Sequence, residues 1–104
     1  MASYELRERI KTILRATFED RLRAVVLYGS EARGDAALDS DIDILVLLDG
    51  RPHEPGDSWA CIDALYPLVL ELGRPIHAET ADVRDYEANA FPLYEHAKRE
   101  GNVL

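Results

Sequence analysis

Apolar residues along this chain follow two rhythms, one helical and one of short continuous runs. Between residues 4 and 20, Leu6, Ile10, Ile13, Leu14 and Phe18 fall on one helical face, with Glu5 and Arg9 four apart on the other side. Ser3 is placed to cap that helix. Two runs, Leu22–Tyr28 (LRAVVLY) and Ile42–Leu48 (IDILVLL), are rich in β-branched and aliphatic residues and read as buried strands. Between them, Ser30–Arg33 opens a short helical turn that Gly34-Asp35 ends. Residues 49–57, with two Pro and two Gly, form the clearest loop. Asp57 or Ser58 then caps a helix to residue 72, with Trp59, Ile62, Leu65, Val69 and Leu72 as its apolar face. Pro67 inside that pattern predicts a kink or a division, and Gly73 a stop.

A third strand is expected over 74–80, followed by helices over 81–89 and Pro92–Glu100, closed by Gly101. Val103 and Leu104 read as a frayed end. The alternation predicts an α/β or α+β layer with helices packed on a small sheet. At 104 residues there is room for one domain, spanning 1–104.

Composition narrows the function. The chain is 47% hydrophobic and 31% charged, in the usual globular range, with no apolar run of membrane-spanning length and no signal peptide. One cysteine, Cys61, sits in an apolar helical pattern; it excludes an internal disulfide framework and fits a reducing cytoplasm. Twenty acidic against 12 basic residues give a net charge of −8, which disfavours gripping extended nucleic acid by its phosphates. A small nucleotide carried with a divalent metal, or a basic protein partner, is compatible with that charge.

The chemistry concentrates in LYGSEARGDAALDSDIDILVLL, residues 27–48. Acids at alternating positions, Asp39, Asp41 and Asp43, lead into a strand that should be buried. Side chains alternate along a strand, so Asp41 and Asp43 share a side while Ile42 and Ile44 face the core. Two close carboxylates repel unless a cation lies between them, and such oxygen ligands suit Mg²⁺ or Mn²⁺. A third carboxylate on a neighbouring strand would allow two metals roughly 4 Å apart, as phosphoryl and nucleotidyl transfer use. Gly29 ends the preceding strand where backbone can approach a ligand closely, and Ser30 starts a turn whose amides can bind phosphate oxygens. Arg33, one turn on, can add a charged contact. Singly, these are a turn, a solvated strand edge and a surface charge; together, at this spacing, they make a site. His53, His77 and His96 show no metal-ligand spacing, and Trp59, Tyr66, Phe91 and Tyr94 follow helical periodicity, as core or partner-facing residues do.

Gly29-Ser30, ten residues, then Asp41-Ile-Asp43 resembles the signature of the DNA polymerase beta-like nucleotidyltransferases. The wider string YGSEARGDAALDSDIDILV is similar to the minimal nucleotidyltransferases, the antitoxin members of pairs with helical HEPN ribonucleases. The resemblance implies a small mixed sheet backed by helices and transfer of a nucleoside monophosphate from an NTP to a hydroxyl with release of pyrophosphate. It implies that Gly29 and Ser30 hold the triphosphate and that Asp41 and Asp43 bind two Mg²⁺. It places a third acid on a later strand, where Glu79 matches, with His77 on the same side of the strand. With ATP as donor, it implies AMP placed on a tyrosine of the HEPN toxin. The helical domain of larger relatives has no counterpart here, which points to a partner or a second copy completing the cleft. Two alternatives stand beside this: a non-catalytic module that inhibits its partner by occlusion, and a transferase acting on a small molecule such as an aminoglycoside.

Overall fold

A computed structural model describes residues 4–34 and 40–104. Ser3, Asp35 and Asp39, to which the sequence assigns a cap, a turn and an acid, lie outside the described residues. The elements are α1 (Tyr4–Phe18), a 3₁₀ turn (Glu19–Arg21), β1 (Leu22–Tyr28), α2 (Ser30–Arg33), β2 (Ile42–Leu48), α3 (Gly56–Leu72), β3 (Ile76–Asp82), α4 (Val83–Glu87), α5 (Pro92–Glu100) and β4 (Asn102–Val103). The strands form one mixed sheet in the order β3-β2-β1-β4. β1 pairs antiparallel with β2 and with β4, whereas β2 and β3 run parallel, with α3 as the crossover that a parallel pair requires.

Central strand β2 is buried on both sides from Ile44 on, which explains its continuous apolar run from there to Leu48. On one side Ile42, Ile44, Val46 and Leu48 join Val25 and Leu27 of β1 beneath Ile10, Leu14 and Phe18 of α1 and Cys61, Leu65 and Leu68 of α3. On the other, Leu45 and Leu47 join Val26, Tyr28 and Ala81 beneath Ala97 of α5, with Tyr86, Leu93 and Tyr94 around them. Each fully buried Ile or Leu in these clusters contributes about 1.5–3 kcal/mol. Covered by short helices, the second side is the thinner layer, and its Asp43 end holds the polar side chains of the site. Among the described residues no helix is long and apolar enough to cross a membrane.

The bounds of β1, α2, β2 and α5 agree with the sequence reading, and Cys61 is fully buried in the core. Several expectations need correction. Pro67 does not divide or end α3: α3 is continuous, and Pro67 lies exposed, as does Asp63, whose carbonyl loses an amide partner that water can replace. The buried stripe of α3 is Asp57, Cys61, Leu65 and Leu68, so Trp59 and Ile62 face outward at 60% and 52% exposure. Apolar residues surround α3, so periodicity left its orientation open; slim Ala60 and Cys61 sit against the sheet while bulky Trp59 and Tyr66 do not fit there. Asp57 does not cap α3; it stands in the first turn and turns to Arg21, whose Nη1 and Nη2 donate to it at 3.1 and 2.6 Å. β3 runs two residues later than expected, leaving α4 only five residues.

Nor is the C-terminus frayed. Asn102 and Val103 pair with Leu27 and Val26, and the Leu104 amide donates to the Val25 carbonyl at 2.8 Å. Gly101 makes this return possible, because a Cβ there would lie 2.3 Å from the Ala97 carbonyl oxygen and 3.0 Å from that of Leu27.

Candidate active site

β1 ends and β2 begins at the same edge of the sheet, with Tyr28 directly opposite Asp43. That register brings the Gly29-Ser30 turn against the Asp41–Asp43 segment. Gly29 adopts φ 75° and ψ −156°, a conformation open to glycine alone, and a Cβ there would lie 2.7 Å from Asp43 Oδ2. Glycine is therefore demanded at position 29 by the turn and favoured further by the carboxylate beside it. From Gly29 the chain enters α2, whose Arg33 amide donates to the Gly29 carbonyl at 3.1 Å, and Gly34 ends the turn in the left-handed region.

The acids lie as alternation requires. Asp41 precedes β2 and is exposed, whereas Asp43 is half-buried within it. In the parallel pairing Asp43 stands opposite His77 and Leu45 opposite Glu79, so His77 and Glu79 occupy the side of the sheet that carries Asp43. His77 Nδ1 is 3.7 Å from Asp43 Oδ1, and Glu79 is one pleat further along β3. Among the described residues, no three His, Cys, Asp or Glu side chains close into a metal-binding cluster; Asp43 with Asp41 and His77 near it is the nucleus that is assembled.

Electrostatics mark the same spot. Burial raises the Asp43 pKa above its ordinary value; His77 opposes that rise and the like charge of Asp41 adds to it. Burial, then Asp43 and Glu79, push the Tyr28 phenol up to about 12, so it stays neutral beside the acids. A carboxylate driven towards protonation by burial and by a neighbouring carboxylate is a donor set that a divalent cation relieves, and all-oxygen ligands suit Mg²⁺. The residues present thus fit a Mg²⁺ site built on Asp41 and Asp43.

Arg33 lies at the end of α2, where its Nη1 donates to both Glu100 oxygens at 3.2 Å, and His96 Nε2 lies 2.9 Å from the same carboxylate. The candidate phosphate contact is thus tied to the end of α5. Two further residues lie against these segments and were not singled out from the sequence. Glu31, one residue after Ser30, is buried and ion-paired with Arg74. Arg74 Nε donates to the Ser40 carbonyl at 2.9 Å, beside Asp41. The sequence offered one signal, an acid inside a stretch that should welcome phosphate, which requires a cation to neutralise it.

Residues 8–104 match the family described as polymerase beta, nucleotidyltransferase. A putative protein adenylyltransferase of Methanocaldococcus jannaschii is 32% identical over 93 residues, covering 88% of this chain and 86% of that protein. A second putative protein adenylyltransferase of that organism is 44% identical over 48 residues, 46% of this chain and 44% of its own. A crystal structure of a toxin-antitoxin with AMP-PNP superposes with a TM-score of 0.70 at 21% identity, covering 93% of this chain and 70% of that one, a likeness of fold.

Proposed function

The chain belongs to the polymerase beta nucleotidyltransferase family, and from that premise we propose that it transfers AMP from ATP, with Mg²⁺, to a tyrosine hydroxyl of a HEPN-type ribonuclease toxin, as that toxin's antitoxin in the cytoplasm. The observation that carries this reading is the meeting of the Gly29 turn with the Asp43 carboxylate, in which the space of the missing Cβ is taken by Asp43 Oδ2. Similarity to two putative protein adenylyltransferases supports a protein acceptor, and the fold shared with a toxin-antitoxin structure supports a toxin partner.

Within this reading each residue has a task. Ser30 and the amides of its turn bind phosphate oxygens, and Gly29 keeps the backbone clear of the carboxylate behind it. Asp41 and Asp43 hold Mg²⁺, with Glu79 as the third acid brought to the same side by the β2–β3 register. Bound there, Mg²⁺ supplies positive charge to the phosphates and to the attacking oxygen. The acceptor hydroxyl releases its proton to water, its oxygen bonds to the α-phosphorus, and the bond from that phosphorus to the α–β bridging oxygen breaks, so that oxygen leaves with pyrophosphate. Arg33, exchanging Glu100 for phosphate, adds charge as pyrophosphate departs.

The test incubates the chain and a purified HEPN-type ribonuclease, as candidate toxin, with α-labelled ATP and Mg²⁺. Label is expected on a toxin tyrosine, and Asp41→Asn and Asp43→Asn are each expected to abolish transfer without lowering the melting temperature. If those variants still neutralise the toxin, inhibition is by occlusion and the catalytic reading fails. Label on an aminoglycoside instead of the toxin would replace the acceptor.

A further inference from the structure

Two separated pieces of chain must keep their spacing if one polyphosphate is to touch both the Ser30 turn and Asp41. Ser30 is fixed by β1 and Asp43 by β2, yet Asp41 precedes its strand and is exposed. What holds that approach comes from residues 74 and 75. The Pro75 carbonyl accepts the Ile42 amide at 2.9 Å, and Arg74 Nε donates to the Ser40 carbonyl at 2.9 Å, so Asp41 is bracketed on both sides. The same guanidinium forms an ion pair with Glu31, the residue that follows Ser30, through Nη2. Side-chain exposure is 16% for Arg74 and 3% for Glu31, so the charges meet out of bulk water, where their attraction is little screened. Arg74 starts from a fixed point, because Gly73 closes α3 in the left-handed region with its amide on the Val69 carbonyl at 2.9 Å.

From this geometry we infer that Arg74 is a positioning residue for nucleotidyl transfer, joining the phosphate turn through Glu31 to the Asp41 approach through Ser40. The inference rests on the nucleotidyltransferase reading and adds a residue that touches neither nucleotide nor metal. A guanidinium is the group the place requires, since its planar fork serves two acceptors in fixed directions while an ammonium serves as a point charge. Arg74→Lys keeps charge opposite Glu31 and gives up the directed bond to Ser40.

A buried ion pair also supports the fold, and the test must separate the two roles. Replacing both partners by apolar residues removes the charges together and is often neutral for stability, whereas removing one strands the other. Binding of Mn²⁺ alone, by electron paramagnetic resonance, and of a non-hydrolysable ATP analogue with Mg²⁺, by calorimetry, would be measured beside thermal melts. Wild type, Arg74→Lys, Glu31→Leu/Arg74→Met and Asp41→Asn would be compared. The double variant should melt near wild type yet bind the analogue at least tenfold more weakly, and Arg74→Lys should fall in the same direction. If the double variant regains both melting temperature and wild-type affinity, Arg74 is structural only and the inference is overturned. If it does not fold, Arg74→Lys decides: weaker binding at an unchanged melting temperature supports the role, and unchanged binding refutes it. Wild type binding neither probe would bring down the proposed function, and this inference with it.

Discussion

Gly29→Ala probes the junction on which the site depends, because two separate costs meet there. The backbone sits at φ 75° and ψ −156°, and holding a residue with a Cβ in such a region costs about 1–3 kcal/mol. The new methyl would also stand 2.7 Å from Asp43 Oδ2. The carboxylate is the free end of a side chain and can turn away, at about 0.5–1.5 kcal/mol for leaving its rotamer. Together these predict a loss of about 3 kcal/mol, which for a domain of this size lowers the melting temperature by roughly 12–24 °C. Urea unfolding of wild type, Gly29→Ala, Asp43→Ala and the double variant separates the two costs. Asp43→Ala removes the clash and leaves the backbone strain, so the coupling between the sites should be about 1 kcal/mol. Gly29→Ala should also weaken binding of an ATP analogue with Mg²⁺, since it moves Asp43. Stability within about 0.5 kcal/mol of wild type, or strictly additive effects of the two substitutions, would refute the reasoning.

Two further predictions concern charge. Folding raises the Asp43 pKa, chiefly by burial, so the native chain holds more protons than the unfolded one just above the ordinary carboxylate range. That contribution makes stability fall as pH rises through the window, and Asp43→Asn should remove it; unfolding curves between roughly pH 4 and 7 that superimpose for the two proteins would contradict this. Asp57 behaves oppositely: hydrogen bonds from Arg21, and one from the His53 amide at 2.6 Å, hold its pKa low against the effect of burial. Its stabilisation is present above the unfolded carboxylate pKa and is lost as pH falls through the lower folded value. The Asp57 side chain is 10% exposed and that of Arg21 35%, so Asp57→Ala, which lets Arg21 turn to water, should cost about 1.5–3 kcal/mol, the range for hydrogen bonds to a charged group. A loss below about 1 kcal/mol in urea unfolding would show the pair to be solvent-screened.

Local pattern was enough for some elements and powerless for others. The two apolar runs became β1 and β2 without adjustment, because β2, and β1 from Val25 on, are buried on both faces and have no alternation to misread. The orientation of α3 was open, because large apolar residues lie all around it and only the shape of the sheet beneath selects Cys61 and Leu65 over Trp59 and Ile62. β4 escaped notice because two residues carry no periodicity; Asn102 and Val103 become a strand only because the edge of β1 offers unpaired amides and carbonyls.

The same division runs through the site. Residue type and spacing along the chain singled out Gly29, Ser30, Asp41 and Asp43 as candidates for one site, since oxygen ligands and a turn free of Cβ are properties of the residues themselves. Folding decided what those residues face: Asp43 against Gly29, His77 and Glu79 brought alongside by a parallel strand more than thirty positions away, Arg33 drawn to Glu100, and Arg74 seated between Glu31 and Ser40. Those partners are distant in sequence, and a long-range contact is fixed by sheet register and helix packing, which no short stretch of residues encodes by itself.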